Sequence, residues 1–153
     1  MKLILMVGLP ACGKSTLSKD LKEYTILNTD SIRKEIYGRE DILGSAEWGE
    51  FYKRLVFSIG AGENVVLDNT NIRAKDRKMI YEMTKLFSPA IELWIFDVKL
   101  ETCLERNANR SRVVPEEVML RMARTLQENQ EDLRIESKNY NAKIVMVNEN
   151  ERA

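Results

Sequence analysis

The 153-residue sequence has no histidine, only two cysteines and three prolines, and no excess of charge, its 24 Lys and Arg balancing 24 Asp and Glu. Each lack excludes something. Without imidazole, general-base work near neutral pH falls to a carboxylate or another group. Two cysteines cannot build a disulfide framework, which points to a reducing, cytoplasmic setting. Zero net charge leaves no global field to attract a polyanion, so any such site must be a local concentration of arginine and lysine. The opening stretch "KLILMVGLP" is too short and too soon interrupted for a signal peptide or membrane span, so no membrane association is expected. There is no repeat, low-complexity tract or linker, and the ending "NENERA" reads as frayed. The length suits a single domain over 1–153 with a substantial core.

What the sequence does contain is a regular alternation. Five apolar runs ("LILMV", "YTILN", "NVVLD", "IELWIFDV" and "AKIVMV") are separated by helical patterns. Near-continuous apolar runs mark strands covered on both faces, as in a parallel sheet. The strongest helix signal lies between the second and third runs, where Trp48, Phe51, Tyr52, Leu55, Val56 and Ile59 share one face. Ser45 is its expected N-cap, and Gly60 and Gly62 its stop. This aromatic stripe reads as core or, alternatively, as a base-stacking surface. Met79, Ile80, Met83 and Phe87 mark another amphipathic helix. Pro115, Glu116 and Glu117 open a long one carrying Met119, Met122 and Leu126. The expectation is a three-layer α/β domain: a five-stranded parallel sheet with helices on both faces.

"GLPACGKST", residues 8–16, follows directly on the first apolar run. Gly8, Gly13, Lys14 and Ser15 fit the P-loop spacing GxxxxGKS/T. Such a loop wraps backbone N–H groups around phosphate oxygens, its lysine neutralises charge, and its serine hydroxyl ligates magnesium. The nucleotide-contacting set is therefore Gly8, Ala11, Cys12, Gly13, Lys14, Ser15 and Thr16. "KSTLSKDLKEY" continues as a helix with Leu17, Leu21 and Tyr24 on one face. Cys12 reads as a small filler within reach of an oxidant.

Three further stretches bear on chemistry. In "NTDSIRKEI", Asp30 either caps a helix or, facing the crevice at the strand ends, accepts a proton from an attacking hydroxyl. Arg33 is either solvated or holds an acceptor phosphate. "LDNTN" places Asp68 as a magnesium-site acid, while Asn69, Thr70 and Asn71 form a side-chain-supported turn. The basic cluster Arg73, Lys75, Arg77 and Lys78 that follows reads as a solvated helix face. In "LETCLERNANRSRVVP", Arg106 and Arg110 fall at i and i+4 with no acid three or four residues away. Two like charges left uncompensated suit an arriving phosphoryl group.

In their order, "GLPACGKST", "NTDSIR", "LDNTN" and "RNANRSRVVP" resemble the kinase domain of phage polynucleotide kinases. The resemblance covers essentially the whole chain. It implies a P-loop kinase fold with a lid at about 106–115. It further implies Lys14 and Ser15 on phosphate and Mg2+, Asp30 as base for a 5′-hydroxyl, Arg33 on the acceptor's 3′-phosphate, and Arg106 and Arg110 as lid arginines. Thr70 joins the acceptor contacts. ATP or another nucleoside triphosphate would be the donor, and a nucleic acid with a 5′-hydroxyl end the partner. The sequence lacks the DxDxT-type phosphatase motif of the phage enzyme, and its lid between Arg110 and Pro115 is shorter. A small-molecule or nucleoside kinase, or an ATP-binding regulatory module, are the competing expectations.

Overall fold

Leu3, Ile4, Leu5, Met6 and Val7 are each 0% exposed, so the first strand is buried on both faces. In the computed structural model, which describes residues 1–40 and 44–148, that strand, β1 (Lys2–Val7), is the centre of the sheet. Around it the order is β2–β3–β1–β4–β5, formed by Thr25–Leu27, Val65–Leu67, Ala90–Asp97 and Lys143–Asn148. Every pairing is parallel, with Leu5 opposite Leu67 on one side and Leu93 on the other. The fold class expected from the five apolar runs is the observed one.

Side chains alternate across a strand, and β1 divides the core accordingly. Leu3 and Leu5 face one layer with Phe51, Leu55, Ile59 and Tyr81. Ile4 and Met6 face the other with Cys12, Cys103 and Met119. The first layer is built by α3 (Ala46–Gly60), α4 (Ala74–Thr84) and α7 (Gln130–Asn139). The second is built by the P-loop, α5 (Leu100–Ala108) and α6 (Glu116–Glu128). Burying each such aliphatic side chain stabilises the fold by about 1.5–3 kcal/mol. Because all strands run the same way, the loops after β1, β2 and β3 leave one edge together. The site is assembled there.

Several local expectations are corrected. The helix after the P-loop, α1, spans only Lys14–Ser18; the chain then tightens into i→i+3 turns, with Asp20 N–H donating to Leu17 and Leu21 N–H to Ser18. Leu17, from the last turn of α1, and Leu21 and Tyr24, from the turns that follow, still pack on the second layer. Ser45 stands at the N-cap of α3 but makes no side-chain cap bond, while the expected stop holds: the helix ends at Gly60, and Gly62 is left-handed at φ 81°. Trp48 and Tyr52 pack against the core, so the aromatic stripe is structural. On α4 the buried residues are Arg77, Ile80, Tyr81 and Thr84, whereas Met79 is exposed, and Phe87, expected on the same helix, lies beyond it in an exposed 3-10 turn. Residues 149–153 of the ending read as frayed lie outside the described residues.

Candidate active site

β1 delivers its chain into a loop that a side chain at Gly8 would obstruct. A Cβ there would stand 2.8 Å from Cys12 Sγ and 2.9 Å from Phe96 Cβ. Ala11 (φ 64°) and Gly13 (φ 102°) take left-handed backbone, which curls the loop back on itself. Lys14 is 7% exposed, and its ammonium sits inside this curl, donating to the carbonyls of Gly8 (3.0 Å) and Leu9 (2.6 Å). Its contact with Cys12 Sγ is 3.5 Å. Cys12 is 1% exposed, so it fills space as expected but is not within reach of an oxidant. Ser15 and Thr16 are exposed at the start of α1.

The loop after β3 forms the opposite wall. Asp68 is buried, and its Oδ2 accepts from Ser18 Oγ at 3.1 Å. The next three residues form the framework of the turn. Asn71, at φ 47°, donates to the carbonyls of Met6 (2.7 Å) and Leu67 (3.2 Å). The Thr70 carbonyl accepts from Gly8 N–H at 3.0 Å, tying this wall to the P-loop. Asn69 Oδ1 accepts from both Thr29 N–H and Thr29 Oγ1 at 3.0 Å, and its buried Nδ2 has no partner.

After β2, Asn28 caps α2 (Thr29–Tyr37), its Oδ1 accepting from Ser31 N–H at 2.9 Å. Asp30 is therefore not the helix cap. Its carboxyl is held instead by Arg33, whose Nη1 donates to Oδ1 at 2.6 Å. Arg33 is no solvated side chain either. It is 6% exposed and also reaches the Glu40 carbonyl (3.3 Å) and the Glu47 carboxylate (3.5 Å). Burial alone would raise the Glu47 carboxyl, but hydrogen bonds from its own and the Gly44 backbone N–H, with the charge of Arg33, outweigh it and hold the group below its ordinary range. Ser15, Ser18, Asn28, Asp30, Glu35 and Asp68 line one cleft of about 430 Å³. The structure thus gathers a P-loop serine, Asp68 and Asp30 around a single space.

The lid arginines are arranged differently from the expected helical pair. α5 ends at Ala108 with Asn109 as C-cap, so Arg110 lies beyond the helix and is no i,i+4 neighbour of Arg106 on it. Arg106 is exposed. Arg110 Nε donates to Asn107 Oδ1 at 3.1 Å. Burial and the charge of Arg112 both lower the Arg110 guanidinium, against the pull of Asp30 and Glu40. Asn107, 3% exposed, stitches the turn by accepting from Val114 N–H (3.0 Å) and donating to the Val114 carbonyl (2.7 Å).

Sequence reading missed four residues here: Glu40, Glu47, Asn107 and Arg112. Two left signals. Glu47 stands four residues before Phe51 in the apolar stripe Phe51, Leu55, Ile59, where a charge is out of place. Arg112 is the third arginine of the quoted lid, and its Nη1 lies 2.9 Å from Asp30 Oδ2. Arg77, expected on a solvated face, is 0% exposed and paired with Glu136, while Arg73, Lys75 and Lys78 are exposed.

The AAA domain family matches residues 3–129. The chain belongs to that family. Over 133 residues it is 28% identical to a putative bifunctional polynucleotide kinase/RNA ligase of Autographa californica nuclear polyhedrosis virus, covering 74% of the chain but 19% of the relative. A chain of the Pnkp1/Rnl/Hen1 RNA repair complex superposes with a TM-score of 0.76 at 18% identity over 86% of this chain and 45% of that one. A gluconokinase from Sinorhizobium meliloti gives 0.59 at 16% identity, with 96% and 82% covered. The chain thus spans about a fifth of the viral relative and under half of the RNA-repair chain. The solved neighbours, each under 25% identical, share its P-loop α/β fold. No described helix is long and apolar enough to cross a membrane.

Proposed function

We propose that the protein is a polynucleotide 5′-hydroxyl kinase, transferring the γ-phosphate of ATP or another nucleoside triphosphate to the 5′-hydroxyl of DNA or RNA. The observation that carries this reading is the placement of Asp30. Freed from capping by Asn28 and braced by buried Arg33, its carboxylate faces the same cleft as Ser15 and Asp68. A carboxylate there accepts the hydroxyl proton as the hydroxyl oxygen attacks the γ-phosphorus and the bond to the nucleoside diphosphate breaks. Lys14 exchanges its loop carbonyls for phosphate oxygens, and Arg106 and Arg110 approach from the lid. Arg33, which braces Asp30, and Thr70, on the turn after β3, would hold the acceptor, although neither lines the cleft itself.

The donor set fits magnesium. No group of three or more acidic or cysteine side chains among the described residues could hold a metal ion alone. One hydroxyl, Ser15, and one carboxylate, Asp68, are what a magnesium shared with phosphates and water requires. When bound, the ion would neutralise charge on the phosphates.

One observation favours a second reading, a kinase for a small polyhydroxy substrate. Arg33 is already engaged by two carboxylates, and the cleft is lined by Asp30, Glu35, Glu40 and Asp68 against only Lys19 and Arg54. One experiment separates the two: γ-labelled ATP with magnesium, offered 5′-hydroxyl oligonucleotides, nucleosides and sugar acids. Label on oligonucleotide ends, lost in Asp30→Asn and in Lys14→Ala, supports the first reading. Label on the small acceptors alone overturns it.

A further inference from the structure

Asp30 has two carboxylate oxygens, and two different arginines hold them. Arg33 Nη1 is 2.6 Å from Oδ1, and Arg112 Nη1 is 2.9 Å from Oδ2. The two arginines are not equivalent. Arg33 belongs to α2, is buried, and is braced by Glu47 and the Glu40 carbonyl. The Arg112 side chain is 39% exposed and sits on the turn between α5 and α6, with the Glu40 carboxylate 3.9 Å away as its second partner. Of the two, only Arg112 can leave without uncovering a buried charge.

We infer that Arg112 is a positioning residue that keeps Asp30 from activating water until an acceptor arrives. This rests on the reading of Asp30 as the base. While the guanidinium holds Oδ2, each carboxylate oxygen already accepts from an arginine, and a water near the γ-phosphate must compete with a cation for the oxygen that would take its proton. An acceptor carrying a phosphate offers Arg112 a better partner, because a guanidinium holds two phosphate oxygens at once. Arg112 moves to it, Oδ2 is released, and the acceptor hydroxyl is the group placed to use it. Without this arrangement, water attacks the γ-phosphorus, the bond to the diphosphate breaks, and the proton leaves through Asp30. The products are then nucleoside diphosphate and inorganic phosphate, with no acceptor modified. The contact discriminates between acceptor and water by occupying one atom.

The test measures acceptor-free ATP hydrolysis beside transfer to a 5′-hydroxyl, 3′-phosphorylated nucleotide, in the wild type, Arg112→Ala, Arg112→Lys, Asp30→Asn and Arg112→Ala/Asp30→Asn. Thermal melts check that each variant is folded. Arg112→Ala is expected to raise acceptor-free hydrolysis by about two- to fivefold, the factor that an exposed ion pair carries. Arg112→Lys, which keeps the charge on Asp30, should stay nearer the wild type. Asp30→Asn should remove the excess in the double variant. Hydrolysis that is unchanged or lower in Arg112→Ala, or an excess that survives Asp30→Asn, overturns the inference. If Asp30→Asn alone transfers as well as the wild type, the base assignment itself fails. If it loses transfer while Arg112→Ala hydrolyses as the wild type does, only the role of Arg112 fails.

Discussion

The guanidinium of Arg77 meets the carboxylate of Glu136 through two parallel hydrogen bonds of 2.8 Å, Nε to Oε1 and Nη2 to Oε2. Tyr81 donates its hydroxyl to the same Oε1 at 2.8 Å, and burial, with the Glu136 charge, pushes that hydroxyl's ionisation far upward. Arg77 Nη1 spans to the carbonyls of Asn71 (2.9 Å) and Ile72 (2.7 Å). The pair therefore fastens α7 and α4 to the turn that carries Thr70 and, through it, Gly8. Glu136→Ala leaves a buried arginine uncompensated and should cost about 3–5 kcal/mol. Replacing both partners, as Arg77→Met with Glu136→Leu, should cost clearly less. Urea unfolding of the three variants checks the order.

Gly8→Ala tests the P-loop by steric contact alone. The added Cβ would press on Cys12 Sγ and on Phe96 Cβ, both under 3.0 Å away. One of these belongs to the loop and the other to β4, so the loop must move outward. Overpacking of this kind costs about 1–3 kcal/mol. Displacing the Lys14 cradle should cost turnover on the order of a hundredfold. Calorimetric nucleotide binding and steady-state turnover measure the effect. A variant of full activity would show that the loop is not the nucleotide site.

Glu47 gives the fold a defined response to acid. Its folded-state value is held below the ordinary 4.5, so it binds its proton less readily folded than unfolded. Its contribution is then fully present above about 4.5 and is lost as pH falls through the folded value. The urea midpoint of the wild type should exceed that of Glu47→Gln from pH 7 down to that point. The two should converge below it. A gap that stays constant to strongly acid pH would mean that the group is not ionised in the fold.

The layers were legible because β1 and its neighbours are apolar on both faces, and a parallel sheet leaves little else for such runs to form. The P-loop was legible because its spacing is set by phosphate geometry and not by packing. What escaped was polar burial. The inward face of α7 is Leu133 and Glu136, so hydrophobic periodicity had almost nothing to find. Arg77 looked solvated for the same reason, since its partner stands 59 positions away. The capping of α2 by Asn28 in place of Asp30 shifted the start of the helix by two residues, and that shift is what leaves Asp30 facing the cleft.

Arg110 separates stability from transfer at one position. Its replacement by alanine removes one hydrogen bond to Asn107 and relieves repulsion from Arg112. These effects oppose each other, so folding stability should change by no more than about 0.5 kcal/mol. On the proposed reading, transfer should slow by at least about tenfold, because a cation placed for the developing charge on the phosphoryl group is gone. Arg110→Lys should not restore it, as an ammonium cannot grip two phosphate oxygens in one plane. Thermal melts and single-turnover transfer on the two variants measure both quantities. A destabilised but fully active Arg110→Ala would make Arg110 part of the turn that Asn107 stitches, and would leave the phosphoryl group to Lys14 and Arg106.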